Sequence, residues 1–368
     1  MKVLQIYKTY TPDTFGGVEQ VIKNICSETA KLGVEQHLLT VSHSARRDQV
    51  DALPVIRCQR NFEIASCPFS WEFFRQFKQI TQGFDLLHFH YPWPFADLTA
   101  LLHRLKIPSI VTYHADALKS PLLKTLYYPI QQAFLRKVTR IVPTSMPLLK
   151  SSPTLQAYAY KSTVIPIGIH PADYPLPDPV LLQHWRERLG THFALFVGVL
   201  RHYKGLSVLL QAAQQVKIPI VIAGGGPLAA ELAAWIKTHQ LHHVHLLGRV
   251  SEADKLALLA LSSMVVLPSQ NRAEAFGVSL LEGLLFKKPL ISTELGTGTT
   301  YVNQDGKTGF VVRPGNAQDL AEKINFLAGH PREAVQMGET GQAWFLQEFQ
   351  ANLMGKRYFD LYQALLGK

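Results

Sequence analysis

Two glutamates eight residues apart, Glu274 and Glu282, stand in the stretch RAEAFGVSLLEGLLFKKPLI. The first falls in a loop with Gly277 and the second about one turn into a helix. Ionised carboxylates accept hydroxyl hydrogen bonds, so one can meet a sugar and the other a ribose. Backbone N–H groups of Val278 and Ser279 at the start of that helix would face phosphate oxygens. Phe276-Gly277 between the glutamates and Lys288-Pro289 after them set this pair apart from glutamates that fall eight apart by chance. Upstream, GVLRHYKG carries Arg201 and Lys204 in a loop behind an apolar run, where two cations would neutralise a diphosphate. Charge on a departing diphosphate grows in the transition state, so fixed cations contribute more there than in the ground state. Surface salt bridging is the alternative for them. Gly16-Gly17, between the first apolar run and the first helical pattern, lets backbone N–H groups approach an anion at the positive end of a helix, although a tight turn explains the pair equally. No third glycine completes a dinucleotide fingerprint. Gly224-Gly225-Gly226-Pro227 reads as a plain strand-to-helix loop.

Short apolar runs alternating with helical patterns position these residues. KVLQIY precedes the Gly16-Gly17 loop, which leads into the amphipathic VEQVIKNICSETAKLG; HLLTV, DLLHFH, SIVTYH and RIVPTS follow as runs suited to parallel strands covered on both faces. TVIPIGIHPADYPLPDP, at 163–179, holds five prolines and reads as a domain connection. A second alternation follows: ALFVGV, IPIVIAGG, VHLLGRV, MVVLPS, PLISTE and TGFVVRP as strands, with helical segments between them. The expectation is an α/β protein of two Rossmann-like, doubly wound domains facing a central cleft, where ligands of such sheets bind. The domains are expected at 1–168 and 169–345. A final stretch at 346–368, read as part of one long amphipathic helix from QAWFLQ onward, is expected to pack back on the first domain.

The chain has 368 residues, 47% hydrophobic and 17% charged, which excludes a disulfide mini-protein and a disordered chain. No apolar run approaches a membrane span, and no signal peptide is visible, so a cytoplasmic location is expected. Cys26, Cys58 and Cys67 show no metal spacing and read as structural thiols. The net charge of +10 is uneven: residues 1–170 hold 19 Lys/Arg against 11 Asp/Glu. Residues 104–161 carry nine basic side chains, Arg104, Lys106, Lys119, Lys124, Arg136, Lys137, Arg140, Lys150 and Lys161, and one acid, Asp116. Such a patch attracts an anionic partner or is simply a solvated face. Pro121 and Pro129 argue against one long interfacial helix in SPLLKTLYYPIQQAFLRKV.

Taken together, GGVEQ, Lys204-Gly205, the Glu274–Glu282 stretch, LGRV at 247–250 and KPLISTELGTGTTYVNQDGKTGFVV at 288–312 resemble the retaining GT-B glycosyltransferases of family four. The likeness covers nearly the whole chain in order, and it is similar in particular to bacterial mannosyl- and rhamnosyltransferases of surface polysaccharide (LPS O-antigen) assembly. The resemblance implies an acceptor-binding first domain, a nucleotide-sugar-binding second domain and no required metal or other cofactor; no Asp-x-Asp pair of the metal-dependent kind occurs. By position it implies that Gly16 and Gly17 approach the donor diphosphate, that Lys204 pairs with it, that Glu274 holds the sugar and Glu282 the ribose. His114, in TYHAD, matches a histidine that meets the donor sugar near its C6 hydroxyl; a capped structural histidine is the other reading. Similar enzymes often carry arginine directly after the glycine of the phosphate loop, whereas Val199 follows Gly198 here and Arg201 comes two later. Gly248, Arg249 and Val250 lead to Glu252, which matches a carboxylate that pairs with guanine, whose two N–H donors suit two oxygens. Ser251 would equally open an ordinary capped helix there.

The implied reaction is transfer of a hexose, foremost mannose from GDP-mannose, to a hydroxyl of a saccharide or lipid-linked saccharide. Retention through a covalent intermediate needs a carboxylate nucleophile, and none is evident. The resemblance favours front-face substitution. The basic first half suits peripheral docking on the anionic inner face of a membrane. Two rivals remain at this level, a sugar-nucleotide epimerase of the same architecture and a basic nucleic-acid binder. No RRM, KH or zinc-finger pattern supports the second, so no nucleic-acid partner is expected.

Overall fold

The computed structural model describes residues 1–104, 106–116 and 121–367. The chain divides into two compact units, Met1–Ile169 with Ala351–Lys368, and His170–Gln350. Both are doubly wound α/β layers.

In the first unit, β1 (Lys2–Ile6), β2 (Glu35–Ser42), β3 (Arg46–Val50), β4 (Leu53–Gln59), β7 (Leu86–Tyr91), β8 (Ser109–Tyr113) and β9 (Arg140–Pro143) form one sheet in the order β3-β4-β2-β1-β7-β8-β9. A separate small hairpin joins β5 (Phe62–Ile64) to β6 (Cys67–Phe69). All neighbours in the large sheet are parallel except β3 with β4. The strand order reverses direction between β1 and β7. Ligands of open α/β sheets bind at such a switch point.

In the second unit, β10 (Ala194–Val197), β11 (Ile220–Ala223), β12 (Val244–Gly248), β13 (Met264–Leu267), β14 (Leu290–Thr293) and β15 (Gly309–Val312) form an all-parallel sheet in the order β12-β11-β10-β13-β14-β15. The reversal lies between β10 and β13. The loops that leave these two strands are GVLRHYKG and the segment containing Glu274, so topology alone carries Lys204 and Glu274 toward one another. Strands covered on both faces read as unbroken apolar runs, and β11, β13 and β14 are buried along their whole length.

Four expectations change. The terminal stretch is two helices, Pro331–Glu348 and Ala351–Leu366, broken at Phe349. Phe349 is fully buried against Phe276, Tyr301 and Trp344, which ends the first helix in the second unit. Residues 346–350 therefore stay with the second unit and the return to the first begins at Ala351, whose N–H donates to the Ile169 carbonyl at 3.0 Å. The last helix buries Ala351, Met354, Gly355, Tyr358 and Tyr362 along one stripe. It lies against helix Gly17–Lys31, where a Cβ on Gly355 would stand 2.2 Å from that of Glu28. The segment with two prolines is one helix, Pro121–Lys137, with Pro129 inside it. Pro129 is exposed, and buried Tyr127, Gln131, Phe134 and Leu135 hold the helix to the unit on its other face. The β3–β4 and β5–β6 pairs were not legible as strands. Finally, Lys161 is no part of a basic surface: it is buried and donates to the carbonyls of Arg136 and Val138 at 2.9 and 2.7 Å, at the end of that helix. Lys119 lies outside the described residues.

Candidate active site

Strand β10 ends in the Gly198 loop, and a 3-10 turn, His202–Lys204, carries Lys204 back over the sheet edge. Lys204 Nζ lies 2.5 Å from Glu274 Oε2, with side chains 13% and 8% exposed. Ser269 Oγ donates to the same oxygen at 3.0 Å, and Thr297 Oγ1 donates to the Glu274 carbonyl at 2.8 Å. The carboxylate is thus held through one oxygen. Oε1 has no hydrogen-bond partner among the described residues. A carboxylate fixed in this way keeps an acceptor ready for a ligand hydroxyl.

Glu282, in helix Val278–Leu285, repeats the arrangement. Its Oε1 accepts from Tyr174 Oη at 3.1 Å and Lys255 Nζ at 2.8 Å, while Oε2 has no partner among the described residues. Burial pushes the Lys255 ammonium down, but the Glu282 and Glu252 carboxylates outweigh it and raise the group overall. Burial and the Glu282 carboxylate hold the Tyr174 phenol protonated, far above its ordinary range. Glu252 itself is exposed and pairs with Lys255 at 2.6 Å. Ser251 does cap the helix Glu252–Leu261, in a reciprocal box with Asp254. No side chain caps helix Val278–Leu285, whose first turn includes Val278 and Ser279 behind buried Phe276 and Gly277. Its first N–H groups are therefore left without side-chain acceptors.

The glycine loops bring the cations in. Gly226 abuts the Gly198 loop so closely that a Cβ would stand 2.6 Å from the Leu200 amide nitrogen. Leu200 N–H in turn donates to the Gly225 carbonyl at 3.0 Å. Arg249, behind Gly248 at the end of β12, lies over Gly225, where a Cβ would meet its Cγ at 2.6 Å. Arg201 and Arg249 are both exposed, and neither forms an ion pair with a described residue; Val250, next to Arg249 in sequence, is half-buried. GGGP thus does more than connect a strand to a helix, because it sets how near Arg249 and the Gly198 loop approach.

In the first unit Gly16 caps helix Gly17–Lys31 with extended backbone and no side-chain bond. The Glu19 carboxylate folds back over it: a Gly16 Cβ would stand 2.6 Å from Oε2, and Oε1 accepts from Thr14 Oγ1 at 2.6 Å and Thr9 Oγ1 at 3.1 Å. An anion at Gly16 would meet that negative charge, whereas the space at Gly17 is open. Arg57, fully buried, anchors the preceding loop through Asp13 at 3.2 Å and binds Asp48 at 2.9 Å. His114, just past β8, is buried, and its Nε2 lies 3.0 Å from His90 Nδ1. Burial holds its imidazole neutral, down at about 3.

Lys204 with Glu274, and Glu252 with Glu282 through Lys255, are therefore brought together within the second unit, while Gly16, Gly17 and His114 belong to the first. Sequence reasoning missed Tyr174, Lys255 and Ser269, which orient the two glutamates. Lys255 had a signal, standing three residues after Glu252 in a capped helix; Tyr174 had none. Among the described residues no three His, Cys, Asp or Glu gather as metal ligands, and no helix is long and apolar enough to cross a membrane.

The profile of the Glycosyltransferase Family 4 matches residues 15–173, and that of the Glycosyl transferases group 1 matches residues 181–344. The chain is 44% identical to D-rhamnosyltransferase WbpZ of Pseudomonas aeruginosa, over 95% of this chain and 93% of that protein. It is 42% identical to O-antigen chain mannosyltransferase C of Escherichia coli, over 100% and 99%. Among solved structures it resembles Anabaena Alr3699/HepE in complex with UDP, with a TM-score of 0.79, 18% identity and coverage of 99% and 100%. Sucrose-phosphate synthase from Thermosynechococcus elongatus superposes with a TM-score of 0.80 at 17% identity, over 100% and 99%. Two doubly wound units, a held carboxylate beside a lysine at a sheet switch point, and relatives this near over the full length leave one conclusion: the chain is a GT-B glycosyltransferase of the family 4 and group 1 type.

Proposed function

We propose that the protein transfers mannose from GDP-mannose, with retention of configuration, to a hydroxyl of a saccharide or lipid-linked saccharide in O-antigen assembly. The observation that carries this reading is the shared state of Glu274 and Glu282. Each is buried, each is held by a lysine and a hydroxyl through one oxygen, and each keeps the other oxygen open. Two such acceptors suit the hydroxyls of a hexose and of a ribose. Lys204 and Arg201, with the uncapped turn at Val278 and Ser279, supply positive charge for the diphosphate that lies between those two sugars in the donor. Glu252, exposed and next to Lys255, offers its carboxylate to the two N–H donors of guanine.

In the front-face reaction the bond from the anomeric carbon to the diphosphate oxygen breaks. The bond to the acceptor oxygen forms on the same face, and the acceptor proton passes to the departing diphosphate oxygen. No protein nucleophile and no metal is required in this scheme. Gly17 and His114 are assigned to the donor's diphosphate and hexose. Gly16 is assigned with Gly17, on condition that the Glu19 carboxylate swings away. Arg104, Lys106, Lys124, Arg136, Lys137, Arg140 and Lys150 are assigned to peripheral contact with anionic lipid; binding to neutral vesicles as strong as to anionic ones removes that assignment.

A 6-deoxyhexose donor is the second reading, favoured by the name of the relative at 44% identity. The test is donor turnover and product analysis with GDP-mannose, GDP-6-deoxymannose and UDP-hexoses, with and without a mannosylated lipid acceptor. Faster α-linked mannose transfer from GDP-mannose supports the reading. Faster transfer of the deoxy sugar replaces it, and donor isomerised without acceptor identifies an epimerase.

A further inference from the structure

A chain of buried polar side chains crosses the sheet of the first unit and ends at His114. Thr29, in helix Gly17–Lys31, has its hydroxyl 2.6 Å from the Ile25 carbonyl. Gln36 Nε2 lies 2.7 Å from that hydroxyl oxygen, and Gln5 Nε2 lies 3.0 Å from Gln36 Oε1. Gln5 Oε1 lies 2.8 Å from His90 Nε2, and His90 Nδ1 lies 3.0 Å from His114 Nε2. All these residues are buried, none more than 6% exposed.

The direction of every bond follows from the first. A carbonyl only accepts, so the Thr29 proton goes to Ile25 and its oxygen must accept from Gln36. Gln36 then turns its carbonyl to Gln5, which must donate there and so presents its own carbonyl to His90. His90 donates through Nε2, and its neutral ring leaves Nδ1 as an acceptor. His114 must donate through Nε2, and its Nδ1 is left with a lone pair. A side branch agrees: Gln5 Nε2 also lies 3.3 Å from Tyr362 Oη, which then donates to His88 Nδ1 at 2.7 Å, leaving His88 Nε2 to donate to Thr112 Oγ1 at 2.6 Å. Burial keeps the rings uncharged, pushing His88 and His90 well below the ordinary histidine range.

We propose that Thr29, Gln36, Gln5 and His90 are positioning residues that lock His114 in its Nε2–H tautomer, so that Nδ1 accepts a hydrogen bond from a donor-sugar hydroxyl and selects against a sugar lacking it. The selection half rests on the reading that His114 meets the hexose. Nδ1 has no hydrogen-bond partner among the described residues. A hydroxyl satisfies it, whereas the methyl group of a 6-deoxyhexose leaves it unpaired, and sites built to pair a substrate hydroxyl discriminate strongly against its absence. The same lock makes GDP-mannose the better donor.

The tautomer is read directly from long-range proton–nitrogen correlations of the full chain labelled with ¹⁵N-histidine, His114 being assigned by loss of its signals in His114→Asn. Protonated Nε2 and bare Nδ1 at His88, His90 and His114 are expected; protonated Nδ1 at His114 overturns the lock without any variant having to fold. Thr29→Val removes the anchor, and its His114 signals should show both tautomers. The ratio of GDP-mannose to GDP-6-deoxymannose turnover should then fall about two- to tenfold. An unchanged ratio with mixed tautomers overturns the selection. An unchanged ratio in His114→Ala, with the wild-type tautomer as expected, shows instead that His114 does not meet the sugar and leaves the lock in place.

Discussion

Replacing Glu274 with glutamine keeps the shape of the side chain and removes its charge from Lys204. The two atoms are 2.5 Å apart and the side chains 13% and 8% exposed, so this is a largely buried pair. Truncating one partner of a buried pair costs about 3–5 kcal/mol, and the remaining exposure of Lys204 places the cost near the lower end, about 3 kcal/mol. For a unit of this size each kcal/mol moves the midpoint by about 2–4 °C, so the second unit of Glu274→Gln should melt about 6–12 °C lower. Adding GDP should narrow that gap, because the diphosphate gives Lys204 an anion and no longer meets the Glu274 carboxylate. Sugar transfer falls as well. Losing a charged acceptor for a sugar hydroxyl costs about 1.5–3 kcal/mol, or roughly 10- to 150-fold in kcat/KM. Thermal melts with and without GDP, beside initial transfer rates, read both. Equal stabilisation by GDP in the two proteins, with transfer within about twofold of wild type, would refute the pairing of Lys204 with diphosphate and of Glu274 with sugar.

Gly226→Ala should depress donor turnover at least about tenfold, because its methyl displaces backbone at Leu200 in the Gly198 loop; turnover at the wild-type rate would separate that loop from the donor. Arg57→Ala removes the buried guanidinium that ties the loop before Gly16 to β3, while Arg46 still pairs with Asp13 and Asp48, and should destabilise the first unit by about 1–3 kcal/mol, with faster proteolysis in that loop. Unaltered urea unfolding would contradict it. Burial lifts the Asp97 carboxyl to about 8, against the opposing Tyr127 hydrogen bond, so the folded state holds a proton there that the unfolded state releases above its ordinary 3.8. Stability from this group is therefore lost as pH rises from about 4 through 8. The buried histidines, lowered by burial, act oppositely and withdraw stability as pH falls below about 6.5. Urea unfolding at about pH 5, 6.5 and 8.5 should show a maximum near the middle value, and Asp97→Asn should flatten the alkaline side; a stability that rises on from 6.5 to 8.5 would contradict the Asp97 sign, and one that falls from 5 to 6.5 the histidine sign.

The strand runs of the second unit were readable because strands buried on both faces leave unbroken apolar runs, and Lys204, Glu274 and Glu282 stood out by residue type and spacing, in GVLRHYKG and on either side of Phe276-Gly277. Pairing across an edge carries weaker marks. RRDQV forms β3 with every side chain half or fully exposed, so no apolar run announces it. Proline misled in helix Pro121–Lys137, where tertiary packing of Tyr127 and Phe134 overrides a missing N–H. The break at Phe349 was invisible for the reverse reason, since a phenylalanine in an amphipathic pattern reads as helix whether or not it caps one. HFH and TYH showed polar groups alternating within buried strands, yet their partners Gln5, Gln36 and Tyr362 are distant in sequence and meet only through parallel pairing and the returning helix. The partners of Glu282 are similarly nonlocal, Tyr174 standing 108 positions away.

A structure of the protein crystallised with GDP-mannose tests the donor assignment most directly. Diphosphate oxygens within hydrogen-bond reach of Lys204 Nζ, a mannose hydroxyl on Glu274 Oε1 and a ribose hydroxyl on Glu282 Oε2 are the expected result. A donor bound with its diphosphate away from Lys204, or with both glutamates still without a ligand on those oxygens, would contradict it.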